Sequence, residues 1–171
     1  IKYQLFMNRI IITAIGTDKP GLVDEISAII NKNDGSIENS KMIKIDNQFA
    51  MIIDFYCIKT LDPIKKELKG IKELEITYKS AKNSNLPDKS KKYILKGADD
   101  QGIVNKVSNF FSSQNINIIE LNTFIESAPI TGAPLFNMEI IIGYNNSISI
   151  DDINSNLMSL CEDLNLDIKV L

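Results

Sequence analysis

Two groups of residues, 81 positions apart, have the types and spacing to hold a small anion. Asp18, Gly21, Leu22 and Val23 stand where an apolar run turns into a helical one, and Asp99, Gly102, Ile103 and Val104 stand at the same place in a second copy. The start of a helix carries backbone N–H groups with no intrahelical acceptor and the positive end of the helix dipole. A carboxylate fits there. The amides of Leu22 and Val23 would take the carboxylate of an amino acid, and Asp18 or Asn39 would accept hydrogen bonds from its ammonium. The glycines have a second reading, in which they only permit a tight strand-to-helix turn. Asp18 and Asp99 likewise read as helix-entry groups that satisfy backbone donors.

The elements around these residues repeat as well. Asp18-Lys-Pro-Gly21-Leu-Val-Asp-Glu-Ile26-Ser27 returns as Asp99-Asp-Gln-Gly102-Ile-Val-Asn-Lys-Val107-Ser108 without a gap. A duplicated unit of about 80 residues follows. In the first copy, Arg9–Gly16 is a β-branched strand. Leu22, Val23, Ile26, Ile29 and Ile30 form one helical face, and Gly35 reads as its left-handed cap. Ser36–Ile45 is a strand with Ile37, Asn39, Lys41 and Ile43 on one side. Asp46-Asn47 turns it into the strand Gln48–Cys57. Asp62 caps a second helix with Pro63 at its first position, and Leu74–Tyr78 is the last strand. The second copy follows suit: strand Lys92–Ala98, helix from Gly102, strands Asn117–Ile125 and Leu135–Tyr144, helix Ser149–Leu164, strand Asp167–Leu171. Its hairpin connection, Glu126–Pro134, is much longer, and Pro129–Phe136 is a candidate partner-contact loop or part of an ordinary connection. The fold class is α+β, with two ferredoxin-like βαββαβ domains in tandem. They are placed at residues 7–82 and 92–171, with a polar linker over 83–91.

Composition narrows the function. The 171 residues carry a net charge of −3, which argues against direct binding to nucleic acid. No apolar run is long enough to span a membrane, and no secretory signal is visible. Residues 1–5 precede Met7, which could be the native start. Cys57 and Cys161 are isolated in apolar contexts, as buried thiols in the cytoplasm would be. Histidine is absent, so the commonest general base and metal ligand are missing. Asp151-Asp152 sits at a helix start and complements the dipole there. No catalytic residues, metal site or cofactor are called for.

The repeat, together with Ser36-Ile-Glu-Asn39, resembles the ACT domain, a ferredoxin-like regulatory module that commonly binds amino acids. Two units without an enzyme, and Ala128-Pro129 followed by Gly132-Ala-Pro134-Leu135-Phe136, resemble the tandem proteins of the glycine cleavage system transcriptional repressor family. The resemblance implies a non-enzymatic regulator that binds a small amino acid, glycine first, and acts on a DNA-binding protein partner, with a homodimer in keeping. It places the ligand region at Asp18, Gly21, Leu22, Val23 and Asn39, and at Asp99, Gly102, Ile103, Val104, Glu120 and Asn122. The second turn departs from the pattern, with Asp100-Gln101 in place of Lys19-Pro20. The rival reading is a ligand-free interaction module of paired ACT-like units.

Overall fold

The computed structural model describes residues 8–58, 60–81, 87–129 and 131–171. The expectations for residues 1–7, for residue 82 at the end of the first domain and for the start of the linker, 83–86, lie outside them. The chain divides into two compact units, residues 1–84 and 85–171. In the first unit the order is β1 (Asn8–Thr17), α1 (Leu22–Lys32), β2 (Gly35–Ile45), β3 (Gln48–Cys57), α2 (Asp62–Leu68) and β4 (Leu74–Ser80). The second unit repeats it with β5 (Lys89–Ala98), α3 (Ile103–Ser113), β6 (Asn117–Ser127), β7 (Pro134–Tyr144), α4 (Ile150–Asp163) and β8 (Leu166–Val170). Lys89, Ser90 and Lys91, read from sequence as the end of the linker, are therefore strand.

Each unit is one antiparallel sheet, ordered β2-β3-β1-β4 and β6-β7-β5-β8. Alternation along the central strands sends one set of side chains under the helices. In β1 these are Ile10, Ile12 and Ala14, and in β3 they are Phe49, Met51, Ile53, Phe55 and Cys57. Leu22, Ile26 and Ile30 of α1 and Ile64 and Leu68 of α2 close that core. In the second unit Tyr93, Leu95, Phe136, Met138, Ile140 and Ile142 meet Ile103, Val107 and Phe111 of α3 and Ile153, Leu157 and Cys161 of α4. Each fully buried aliphatic side chain contributes about 1.5–3 kcal/mol. Burial pushes the Cys161 thiol up to about 11, and raises that of Cys57 as well. Both cysteines are free and buried.

Three local expectations change. Gly35 is not the left-handed cap: Asp34 takes the positive φ, 56°, and Gly35 begins β2. A Cβ at Gly35 would stand 2.8 Å from the Ile30 carbonyl oxygen, so close approach is what requires glycine there. Asp62 is the first helical residue of α2 and not its cap, which falls at Leu61 without a side-chain bond. In β2 the register shifts between Ile37 and Asn39. A bulge adds one residue to one strand and so flips the alternation beyond it. Ile37, paired with the buried Phe55, lies on the helix side with Ser40, Met42 and Lys44. Asn39, Lys41 and Ile43 lie on the outer side. β6 carries the matching shift between Ile118 and Glu120.

Candidate functional site

The turn into α1 places Gly21 at φ 93°, and the turn into α3 places Gly102 at φ 84°. In that left-handed region a side chain is strained and glycine is not. Intrahelical bonding begins where Glu25 N–H donates to the Gly21 carbonyl at 2.9 Å, so the amides of Leu22, Val23 and Asp24 precede the first helical acceptor. Lys106 N–H to the Gly102 carbonyl, also 2.9 Å, does the same for Ile103, Val104 and Asn105. The Leu22 and Ile103 side chains are core, so only their backbone can face a ligand.

An open cleft of about 830 Å³ lies against the first turn, lined by Asp18, Gly21, Val23, Met42, Lys44 and Phe49 among others. Asp18 does not act as the helix-entry group expected of it. Its backbone N–H donates to the Asn47 carbonyl at 2.8 Å, and its carboxylate pairs with Lys44 Nζ at 2.7 Å. Lys19 pairs with Glu73 at 3.0 Å, which ties the turn to the entry of β4 and holds the Glu73 carboxyl below its ordinary range. The second turn lines a cleft of about 560 Å³ with Asp99, Asp100, Gly102, Ile103, Val104 and Phe136. There the Gln101 N–H donates to Asp100 Oδ1 at 2.7 Å, a local bond where the first turn has Pro20. The position matching Lys44 is Ile125, whose side chain is exposed. The two clefts thus share backbone geometry but not charge.

The expected residues are only partly brought together. Asp18, Gly21, Leu22 and Val23 converge, as do Asp99, Gly102, Ile103 and Val104. Asn39 lies across the sheet from them. It pairs in register with Asp54 and lines a separate hollow of about 290 Å³ with Ser40, Lys41, Ile52 and Asp54. Glu120 and Asn122, opposite Ile141 and Glu139, are likewise on the outer side of the second sheet, away from Gly102.

The outer side of the first sheet holds a cluster that the sequence reading passed over. Arg9 grips Asp54 in a two-pronged pair, Nε to Oδ1 at 2.9 Å and Nη2 to Oδ2 at 2.6 Å. The guanidinium lies 6.0 Å from the Tyr56 ring centre. Arg9 holds the Asp54 carboxyl below the usual carboxylate range although burial acts the other way, and Asn39 adds a hydrogen bond. The available signal was a lone carboxylate in the apolar run Gln48–Cys57. Lys44 left no such signal, because its face depends on the bulge. Among the described residues, no group of three or more His, Cys, Asp or Glu could hold a metal ion. None of their helices is long and apolar enough to cross a membrane.

Comparison with known proteins bears on this geometry. The family model described as the ACT domain matches residues 8–79. That span is the first unit from β1 into β4, and the second unit repeats its topology. The chain carries the same βαββαβ fold twice, and the ACT match covers the first copy. Its structure is similar to that of a crystallised protein of unknown function from Galdieria sulphuraria, with a TM-score of 0.85 at 22% identity over 96% of this chain and 97% of that one. It is also similar to a protein provisionally described as a glycine cleavage system transcriptional repressor, with a TM-score of 0.69 at 16% identity over 96% of each chain. At such identities the likeness is one of fold. No curated protein matches the chain in sequence. Each unit presents its leading helix start to an open cleft.

Proposed function

We propose that this chain is a non-enzymatic, cytoplasmic regulator that binds a small amino acid, glycine first among them, and passes that state to a protein partner that controls transcription. The glycine cleavage system is the setting suggested by the protein of like fold. The observation that carries the reading is the Asp18–Lys44 pair beside the open start of α1. An α-amino acid brings a carboxylate for Lys44 and the helix amides and an ammonium for Asp18. It exchanges one ion pair for two and adds the helix-end attraction, which is worth about 0.3–1 kcal/mol where exposed. Ligand and partner are then linked, because whatever arrangement the ligand favours changes partner affinity by the same factor in both directions.

Calorimetric titration of the folded chain with a panel of amino acids tests this. Heat at one site per chain is expected, with affinity lost tenfold or more in Lys44→Ile, which gives the first cleft the residue of the second. Silence with every amino acid sinks the sensor reading. A ligand-free interaction module would then be favoured by the exposed Ile15, Ile43, Ile45 and Ile52, which share the outer side of the first sheet.

A further inference from the structure

The first unit concentrates positive charge on one helix. Lys65, Lys66, Lys69 and Lys72 fall within eight residues of a chain whose net charge is −3. Ile64, Leu68 and Ile71 turn α2 and the segment after it into the core, which leaves the lysines on the solvent side. Lys69 is three and four positions from Lys66 and Lys65, so helical spacing sets the three side by side. Lys72 follows in the turn before β4. Lys65 Nζ lies 5.4 Å from the Tyr78 ring centre. Lys66, Lys69 and Lys72 have no ion-pair partner among the described residues. Two neighbouring carboxylates are already taken, Glu67 by Lys32 at 2.9 Å and Glu73 by Lys19 at 3.0 Å.

The fold does not require this arrangement. Like charges at such spacing repel one another and weaken a helix. Cations in a last turn complement the helix dipole, but that attraction fades within one turn and does not reach Lys72. The helix at the same place in the second unit, α4, carries Asp151, Asp152, Glu162 and Asp163 and no lysine. It buries Ile153, Leu157 and Cys161 all the same.

We infer that the lysine face of α2 is a docking surface for an acidic segment of a partner protein. The inference rests on the proposed function only in taking a protein for the partner. Carboxylates supply the charge that the face lacks, and lysine meets them as a point charge. From Lys65 to Lys72 is about 10 Å at helical rise, the length of three or four residues of an extended segment. A nucleic acid fits less well. Its charge continues along a whole backbone, and the neighbouring Tyr78 ring is half-buried under Lys65 and not free to stack a base. Exposed ion pairs are weak one by one, so the contact draws on several together and is sensitive to salt.

Fluorescence anisotropy of a labelled polyglutamate peptide, titrated with the full chain, tests this. Binding is expected at low ionic strength and is expected to vanish near about 1 M salt, where the screening length is about 3 Å. Lys66→Glu with Lys69→Glu, both at exposed positions, is expected to lose tenfold or more in affinity with unchanged circular dichroism. Lys66→Gln with Lys69→Gln keeps the shape without reversing the charge and is expected to lose less. Lys89→Glu with Lys106→Glu gives the second unit the same change in net charge and is expected to bind as the wild type does. No binding at low ionic strength overturns the inference. So does an equal loss in the second-unit variant, which makes net charge the cause, or tighter binding of a single-stranded oligonucleotide of equal length. The peptide titration needs no amino acid, so its failure leaves the calorimetric test at α1 standing.

Discussion

The two units solve the same backbone problem with different side chains. The first keeps one partly buried charge pair, Arg9–Asp54, and turns Ile15, Ile43, Ile45 and Ile52 outward beside Lys41. The second has Ser90 and Ile141 at those two places, and puts its charges at the positions of the first unit's isoleucines. The cores differ far less. Ile53 and Ile140 occupy matching positions and both are fully buried. The fold therefore needs the inner side of each sheet and leaves the outer side free to serve another purpose. The same holds at the helix starts, where Lys44 and Ile125 trade places over a common turn.

The largest effects should come where the units agree. Ile53→Ala and Ile140→Ala each remove a buried aliphatic group and should cost about 3 kcal/mol in the unit that carries the change. Chemical denaturation followed by site-specific hydrogen exchange would show it. Equal losses in both units from either change would break the picture of two separate cores. Gly35→Ala comes next, at about 2 kcal/mol, because the new Cβ overlaps the Ile30 carbonyl. The second unit holds Ile116 at the matching position, so Ile116→Ala should cost through lost burial and not through overlap. A Gly35→Ala chain as stable as wild type would mean that the α1–β2 connection gives way freely.

A smaller contrast separates two tyrosines. Tyr93 donates its hydroxyl to Asn154 Oδ1 at 2.8 Å, and burial pushes its pKa up to about 12. The Tyr78 hydroxyl is buried with no hydrogen-bond partner among the described residues. Tyr93→Phe should cost about 1 kcal/mol, and Tyr78→Phe should be neutral or stabilising. Equal urea midpoints for the two variants would refute the assignment. The gentlest contrast is one of pH. The Asp54 carboxyl is depressed in the folded state, so its contribution is fully present above an unfolded carboxylate pKa of about 3.9. It is lost as pH falls through the lower folded value. Acid melts of the first unit should therefore flatten below about pH 4 in Arg9→Ser, which copies the residue of the second unit. An acid limb unchanged by that substitution would show that Arg9 does not set the Asp54 titration.

Much of this was readable in the residues. The 81-residue repeat, the β-branched runs and the glycine turns announced two βαββαβ units. Leu22, Ile26 and Ile30 announced a buried helix face, because helical period and burial leave a joint mark on composition. Asn39 was misplaced because period-two counting assumes an unbroken strand, and one bulged residue reverses every side chain after it. Gly35 was misread because a glycine after a helix serves equally as a left-handed cap or as a point of close approach. Asp34 took the cap instead.

Order along the chain, then, determined the elements, their sequence and the two helix starts, since these depend on neighbours a few residues apart. Which outer face is ionic and which is isoleucine, and which carboxylate meets which cation, depended on register between strands up to about 50 positions apart in the chain. Local pattern holds no record of that register. It is set when sheet hydrogen bonds and core packing are satisfied together.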